Sequence, residues 1–160
     1  MTESKYYTIK RHHDIDFYDF QPTFSNPERF KEMIEMICDK ITLPINYFGL
    51  LDSKGFIWGS ALTYKLECPF IPIRKKGKLP PPVFTSDDYK TVYDKVSNAL
   101  EIPADLIPGD IILIDDVIES GKTLLTAYDL LKKNGYNVLY AVVIVKLGNP
   151  ELPFEVKSVL

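Results

Sequence analysis

The sequence predicts an α/β fold: a doubly wound, mainly parallel sheet flanked by helices. Three observations carry that expectation. Ile111-Ile112-Leu113-Ile114 and residues 138–145 are apolar runs too continuous to alternate, as in strands covered on both faces. The strand-like runs at 47–51 and 111–114 are each followed by a segment of helical period, the order expected of successive β-α-β units. Residues suited to ligands then collect just beyond strand ends, at Asp115-Asp116 and at Arg74-Lys75-Lys76-Gly77-Lys78, where an open parallel sheet has its crevice. A chain of 160 residues, 46% hydrophobic and 26% charged, is large enough for one domain with its own core.

Residues 1–22 are aromatic and polar and show no helical period. His12 and His13 are adjacent, so they cannot share a strand face, and they read as a solvated pair near the terminus rather than a metal site. Residues 17–22 read as a strand-like stretch that packs Phe17 and Phe20 in a core or lends them to a ligand. Ser25-Asn26-Pro27-Glu28 opens a helix: Ser25 and Glu28 have capping-box spacing, and Pro27 is tolerated in a first turn. Phe30, Met33, Ile34, Ile37 and Cys38 form its core face, and Pro44 ends the region. Residues 47–51 form a short buried strand, Asp52-Ser53-Lys54-Gly55 a turn, residues 56–66 a helix and residues 70–73 a strand. Residues 74–109 carry few regular signals, and an irregular segment that long in a compact domain is expected to be a functional lid. Within it Tyr89, Val92, Val96 and Leu100 share one helical face, which allows a short helix. Residues 122–134 form a helix with Leu124, Ala127, Leu130 and Leu131 toward the sheet and Gly135 as its C′ residue. Residues 138–145 are a buried strand, and residues 153–160 supply a final edge strand.

Several function classes are excluded at this level. A net charge of −3 gives no reason to expect nucleic-acid binding. The longest apolar run, residues 138–145, is too short to span a bilayer. Met1-Thr2-Glu3-Ser4-Lys5 leads into tyrosines and charges, so no signal peptide is expected. Cys38 and Cys68 form no Cys-x-x-Cys pair and read as reduced thiols of a cytoplasmic protein.

The chemistry concentrates in residues 111–124. Two adjacent acids follow the apolar run, then Glu119-Ser120-Gly121-Lys122-Thr123 form a turn where a helix opens. Backbone N–H groups and a helix N-terminus together make a phosphate seat. Two carboxylates beside it accept hydrogen bonds from sugar hydroxyls or hold the waters of a metal. Phosphate, diol and Mg²⁺ within one stretch point to a ribose 5-phosphate ligand. Gly121-Lys122-Thr123 imitates the end of a Walker A loop, but the glycine that loop needs five residues earlier is Asp116, which would repel the phosphates. The basic run from Arg74 to Lys78 begins at a strand's C-terminal end, on the same side as Asp115 and Asp116, which favours anion binding over a merely solvated face.

The hydrophobic strand, paired acids and small-residue turn resemble the phosphoribosyl diphosphate (PRPP) motif of type I phosphoribosyltransferases. Asp52-Ser53-Lys54-Gly55-Phe56-Ile57-Trp58-Gly59 together with Ile73-Arg74-Lys75-Lys76-Gly77-Lys78-Leu79-Pro80 is similar to the adenine phosphoribosyltransferases in particular, and the resemblance spans residues 16–160. It implies one domain over residues 1–160, with residues 1–22 as a small hood that contacts the base and residues 74–109 as a flexible lid. It implies transfer of ribose 5-phosphate from PRPP to a purine in salvage, adenine favoured, with Mg²⁺ as cofactor and a homodimer as the assembly. By resemblance Asp115, Asp116 and Arg74 are catalytic. Glu119, Ser120, Gly121, Lys122 and Thr123 bind the 5-phosphate, and Lys54, Arg74, Lys75 and Lys78 bind pyrophosphate. Phe17, Tyr18, Asp19, Val117 and Ile118 bind the base. Mg²⁺ has no assigned direct protein ligand and is held through PRPP and waters, with Asp115 and Asp116 the nearest candidates. The chain departs from the family at four positions: Tyr18 and Lys54 replace arginines, Glu119 replaces a small residue, and Val92 replaces the glutamate that handles the base's proton, a task left to Asp88 or Asp94. These departures keep two alternatives open: a hypoxanthine, guanine or xanthine phosphoribosyltransferase, and a non-catalytic PRPP or nucleotide sensor.

Overall fold

The computed structural model describes residues 4–12, 15–89 and 98–160. The chain divides into two compact units, Met1–Lys40 and Ile41–Leu160.

In the first unit the aromatic start of the chain forms a hairpin. β1 (Thr8–His12) pairs antiparallel with β2 (Ile15–Asp19), with Thr8 opposite Asp19. Tyr7 packs on Tyr18 and on Phe20, ring centroids 5.1 and 5.8 Å apart. Phe20 is buried, whereas Phe17 is exposed, so the two aromatics that the sequence treats alike part company. His12 ends β1, and His13 lies outside the described residues. A short helix α1 (Gln21–Phe24) precedes α2 (Pro27–Cys38). The cap of α2 is Asn26, whose Oδ1 accepts from Arg29 N at 3.0 Å; the expected Ser25 instead donates to Gln21 O at 2.7 Å. The reason is Pro27. A proline in the first helical position makes the residue before it extended, and Asn26 has φ −131° and ψ 107°.

The second unit is built on a seven-stranded sheet in the order β5-β6-β4-β3-β7-β8-β9. β3 (Tyr47–Leu51), β4 (Phe70–Lys75), β7 (Asp110–Ile118), β8 (Asn137–Lys146) and β9 (Glu155–Ser158) are parallel. β5 (Val83–Thr85) and β6 (Leu100–Pro103) add on antiparallel beside β4. α3 (Lys54–Leu66) joins β3 to β4, and α4 (Lys122–Lys133) joins β7 to β8. Leu124, Ala127, Leu130 and Leu131 of α4 share a buried cluster with Ile111, Leu113, Ile71, Ile73 and Val143. The alternate residues Leu50 and Ile114 face the other way. There α3 approaches so closely that a Cβ on Gly59 would lie 2.0 Å from a methyl of Leu50. The sheet is thus covered on both faces, as its apolar runs require.

Three boundaries differ from the sequence reading, and all three bear on the site. β7 continues through Ile118, so Asp115 and Asp116 lie inside the strand and not after it. Pairing with β3 stops at Ile114, while pairing with β8 runs on to Ile118 opposite Lys146. The acids therefore occupy a strand segment paired on one side. α3 begins at Lys54, two residues earlier than its apolar period suggests, and leaves Asp52-Ser53 as the whole turn. Arg74 and Lys75 belong to β4 and not to an irregular lid, because β6 supplies a partner: Arg74 faces Glu101 and Lys75 faces Leu100. The optional helix in residues 89–100 is absent at both described ends. Tyr89 bridges Asn98 antiparallel and Leu100 opens β6, while Val92, Asp94 and Val96 lie outside the described residues.

Candidate active site

β3 leads through α3 to β4 on one side, and β7 leads through α4 to β8 on the other. The connections diverge between β3 and β7, and a crevice forms beyond the carboxyl ends of strands at such a switch point. Both functional stretches singled out in the sequence end there.

Asp116 and Lys54 meet across this point in an ion pair, β7 supplying the acid and the first turn of α3 the cation. Gly55 makes the contact possible. A Cβ at that position would lie 2.6 Å from the backbone oxygen of Ile114, so the start of α3 rests directly on β7 one residue before the acids. The Asp115 carboxylate turns back to accept from Asp116 N at 2.8 Å. Burial, then the charge of Asp116 beside it, holds the Asp115 carboxyl well above the usual carboxylate range, with Lys54 opposing. The acid pair is a site that favours added positive charge.

The neighbouring cation is held as firmly. Arg74 Nε donates to Asp52 Oδ2 at 3.2 Å, Arg74 Nη1 donates to Lys78 O at 3.1 Å, and its guanidinium lies 5.7 Å from the centroid of Phe56. Asp52 is anchored in turn, its N–H donating to Ile73 O at 3.0 Å. Arg74 and Lys54 thus lie at the ends of adjacent elements, each against an acid, while Lys75 and Lys78 are exposed beyond them.

On the far side of β7 the turn before α4 is shaped by Gly121, at φ +74°. A Cβ there would meet Pro150 at 2.9 Å, so both conformation and space call for glycine. No side chain caps α4, and the nearest hydroxyl, Ser120 Oγ, stands 3.5 Å from Lys122 N. Lys122 N thus donates only a long bond to Ser120 Oγ, and no side chain of the N-cap residue claims the first turn. Glu119, Ser120 and Lys122 are exposed and Thr123 is half-buried.

The structure brings together Asp115, Asp116, Lys54 and Arg74, with the turn of residues 119–123 continuing from the same strand. Of the residues expected at the base, Val117 is half-buried, but Ile118 belongs to the buried cluster on the α4 face. Tyr18 packs on Tyr7, and Asp19 pairs with Lys10 and accepts from Gln21 N, all within the first unit. Three contributors escaped the sequence reading: Asp52 and Phe56, which fix Arg74, and Glu101, which accepts from Gly77 N at 2.9 Å. Asp52 and Phe56 stood in the recognised segment and had a signal. Glu101 had none, since its partner is distant in sequence. Among the described residues no group of three or more His, Cys, Asp or Glu is arranged to hold a metal ion.

Residues 51–158 match the family model described as the phosphoribosyl transferase domain. The adenine phosphoribosyltransferase of Chromobacterium violaceum is 40% identical over 143 residues, covering 86% of this chain and 70% of that protein. That of Corynebacterium efficiens is 42% identical over 136 residues, covering 82% and 69%. Among solved structures, the Saccharomyces cerevisiae adenine phosphoribosyltransferase, complexed with adenine and an imino-altritol bisphosphate, superposes with a TM-score of 0.88 at 29% identity over 97% of this chain and 94% of that one.

Proposed function

The chain belongs to the phosphoribosyltransferase family, and on that premise we propose that it transfers the 5-phosphoribosyl group of PRPP to adenine, forming AMP and releasing pyrophosphate in purine salvage. The observation that carries this reading is the meeting of Asp116 with Lys54 and of Arg74 with Asp52 at one switch point, acids and cations around the carboxyl ends of neighbouring parallel strands.

In this reading the N–H groups at the start of α4, with the Ser120 and Thr123 hydroxyls, bind the 5-phosphate. Asp115 and Asp116 accept hydrogen bonds from the ribose 2- and 3-hydroxyls. Their charge, developed in a partly desolvated crevice, stabilises the cationic character that grows at C1 as the bond to pyrophosphate breaks. Lys54, Arg74, Lys75 and Lys78 neutralise the leaving pyrophosphate. Arg74 enters this role pre-oriented, because Asp52, Lys78 O and Phe56 already fix its guanidinium plane. Adenine attacks C1 from the opposite face, with Val117, next to the acids on β7, as a proposed base contact.

The donor set suits Mg²⁺: two adjacent hard carboxylates, of which Asp115 has its proton affinity raised by burial and by the charge beside it, yet too few to cage the ion unaided. Asp115 and Asp116 would hold it together with PRPP oxygens and waters. When bound it supplies charge neutralisation to the diphosphate. A homodimer is part of the proposal, and the exposed Ile57 and Tyr64, two turns apart on α3, are apolar surface suited to it. Cys38 and Cys68 are not joined in a disulfide, which accords with a cytosolic location.

Incubating the protein with Mg²⁺, PRPP and each purine in turn, and following nucleotide and pyrophosphate, tests the proposal. Product with adenine is expected. Product only with hypoxanthine, guanine or xanthine would reassign the base, and PRPP binding without turnover for any base would replace the enzyme with a sensor.

A further inference from the structure

Among the described residues, and apart from the acids of the site, Glu101 is the charged residue most withdrawn from water, at 5% exposure. A carboxylate is withdrawn from water at substantial cost unless specific partners replace the lost solvation. Its Oε2 accepts from Gly77 N at 2.9 Å. Its strand position faces Arg74 across the β4–β6 pair, and cross-strand partners project to the same face. The buried charge therefore lies on the side of the sheet from which Arg74 projects, with its acceptor directed to the tip of the basic segment.

Two further backbone contacts among the described residues flank that turn. Lys76 N donates to Ala99 O at 2.9 Å, and Lys78 O accepts from Arg74 Nη1 at 3.1 Å. Gly77 between them adopts φ +79° with nothing within 4 Å of where a Cβ would stand, so no packing holds it. The bond to Glu101 is a side-chain contact made to the turn itself, and it bears on the direction of the turn and of Lys78 after it.

Resting on the transferase reading, we propose that Glu101 is a positioning residue for pyrophosphate: its buried carboxylate accepts the Gly77 N–H and so presents the Arg74–Lys78 cations as a preformed diphosphate site. It touches no substrate. It acts through the backbone of a segment whose side chains do.

The test separates positioning from general support of the fold. Glu101→Gln keeps an acceptor of the same length; Glu101→Ala removes it. Glu101→Ala is expected to weaken pyrophosphate binding in the presence of Mg²⁺, measured by calorimetry, by about tenfold or more, and to raise the KM for PRPP in parallel, leaving the KM for adenine within about twofold. Glu101→Gln is expected to stay within about threefold of the unaltered protein on both readouts. Gly77→Ala, which meets no neighbour but disfavours positive φ, should reproduce the Ala signature without touching the core, and it carries the test if Glu101→Ala does not fold. Unchanged pyrophosphate affinity in Gly77→Ala or Glu101→Ala would overturn the proposal. So would equal losses for PRPP and adenine, or a Gln variant as weak as the Ala variant. Failure of the transferase reading is distinct, since it would appear as absent turnover in the unaltered protein, whereas pyrophosphate binding is measured without turnover.

Discussion

Gly55→Ala is the sharpest test of how the two halves of the site are held together. The added Cβ would lie 2.6 Å from Ile114 O, and ordinary contact begins near 3.4 Å, so α3 and β7 must part by about 0.8 Å. The obstructing atom is backbone in a central strand paired on both sides at Ile114, so α3 must move. That movement carries Lys54 away from Asp116 and Phe56 away from Arg74. Overpacking of this kind costs about 1–3 kcal/mol of stability. In a chain of this size that is about 2–12 °C in Tm. A misplacement approaching 1 Å costs on the order of 10²-fold in rate. The assay is kcat/KM for PRPP alongside thermal unfolding. Gly59→Ala is the control: its clash is with the methyls of Leu50, a side chain with rotamers available, and it lies one turn farther from Lys54. It should cost stability with a smaller loss of activity. Gly55→Ala with unchanged kcat/KM would refute the claim that close helix–strand approach sets the Lys54–Asp116 geometry.

Asp115→Asn should uncouple stability from activity. The folded-state pKa of Asp115 is raised, so its protonated form favours folding; that contribution is complete below the unfolded value near 3.8 and is lost as pH rises through the raised folded value. The Asn variant should lack this decline and be the more heat-stable protein at neutral pH, while losing about 10²-fold or more in kcat; a variant less stable at pH 7 than at pH 4 by the same margin as the parent would contradict the assignment. Lys54→Met should change unfolding free energy by no more than about 1 kcal/mol, since the Lys54 side chain is 40% exposed and solvent screens its pair, yet lower kcat/KM for PRPP by about tenfold or more. Removing divalent cations with EDTA should abolish turnover but leave the Tm of the protein alone unchanged; a Tm raised by Mg²⁺ alone, without PRPP or pyrophosphate, would reveal a protein-only metal site that the described side chains do not offer.

What the sequence disclosed and what it withheld divide along the range of the interactions. Helix α4, from Lys122 with Gly135 beyond its end, was legible within a residue because period, glycine and the preceding turn are all local. So was β3, a short apolar run with a polar turn behind it. The end of β7 was not, because Asp115 and Asp116 look like the close of a strand; only β8, paired through Ile118, keeps them in extended backbone. Likewise Arg74 and Lys75 read as loop until Leu100 and Glu101 arrive from a distant part of the chain to pair with them. The site followed the same rule. Its charged residues were visible as types, since two acids directly after an apolar run and a dense basic run after another strand are local patterns. Their partners were not, because Asp52 reaches Arg74 and Glu101 reaches Gly77 only once β3, β4 and β6 are neighbours. The groups proposed to touch substrate are thus announced by composition, while the groups that aim them are announced only by topology. An acid such as Glu101, unremarkable along the chain, becomes informative when the sheet buries it beneath a cationic turn, because a charge kept from water must be answered by something specific nearby.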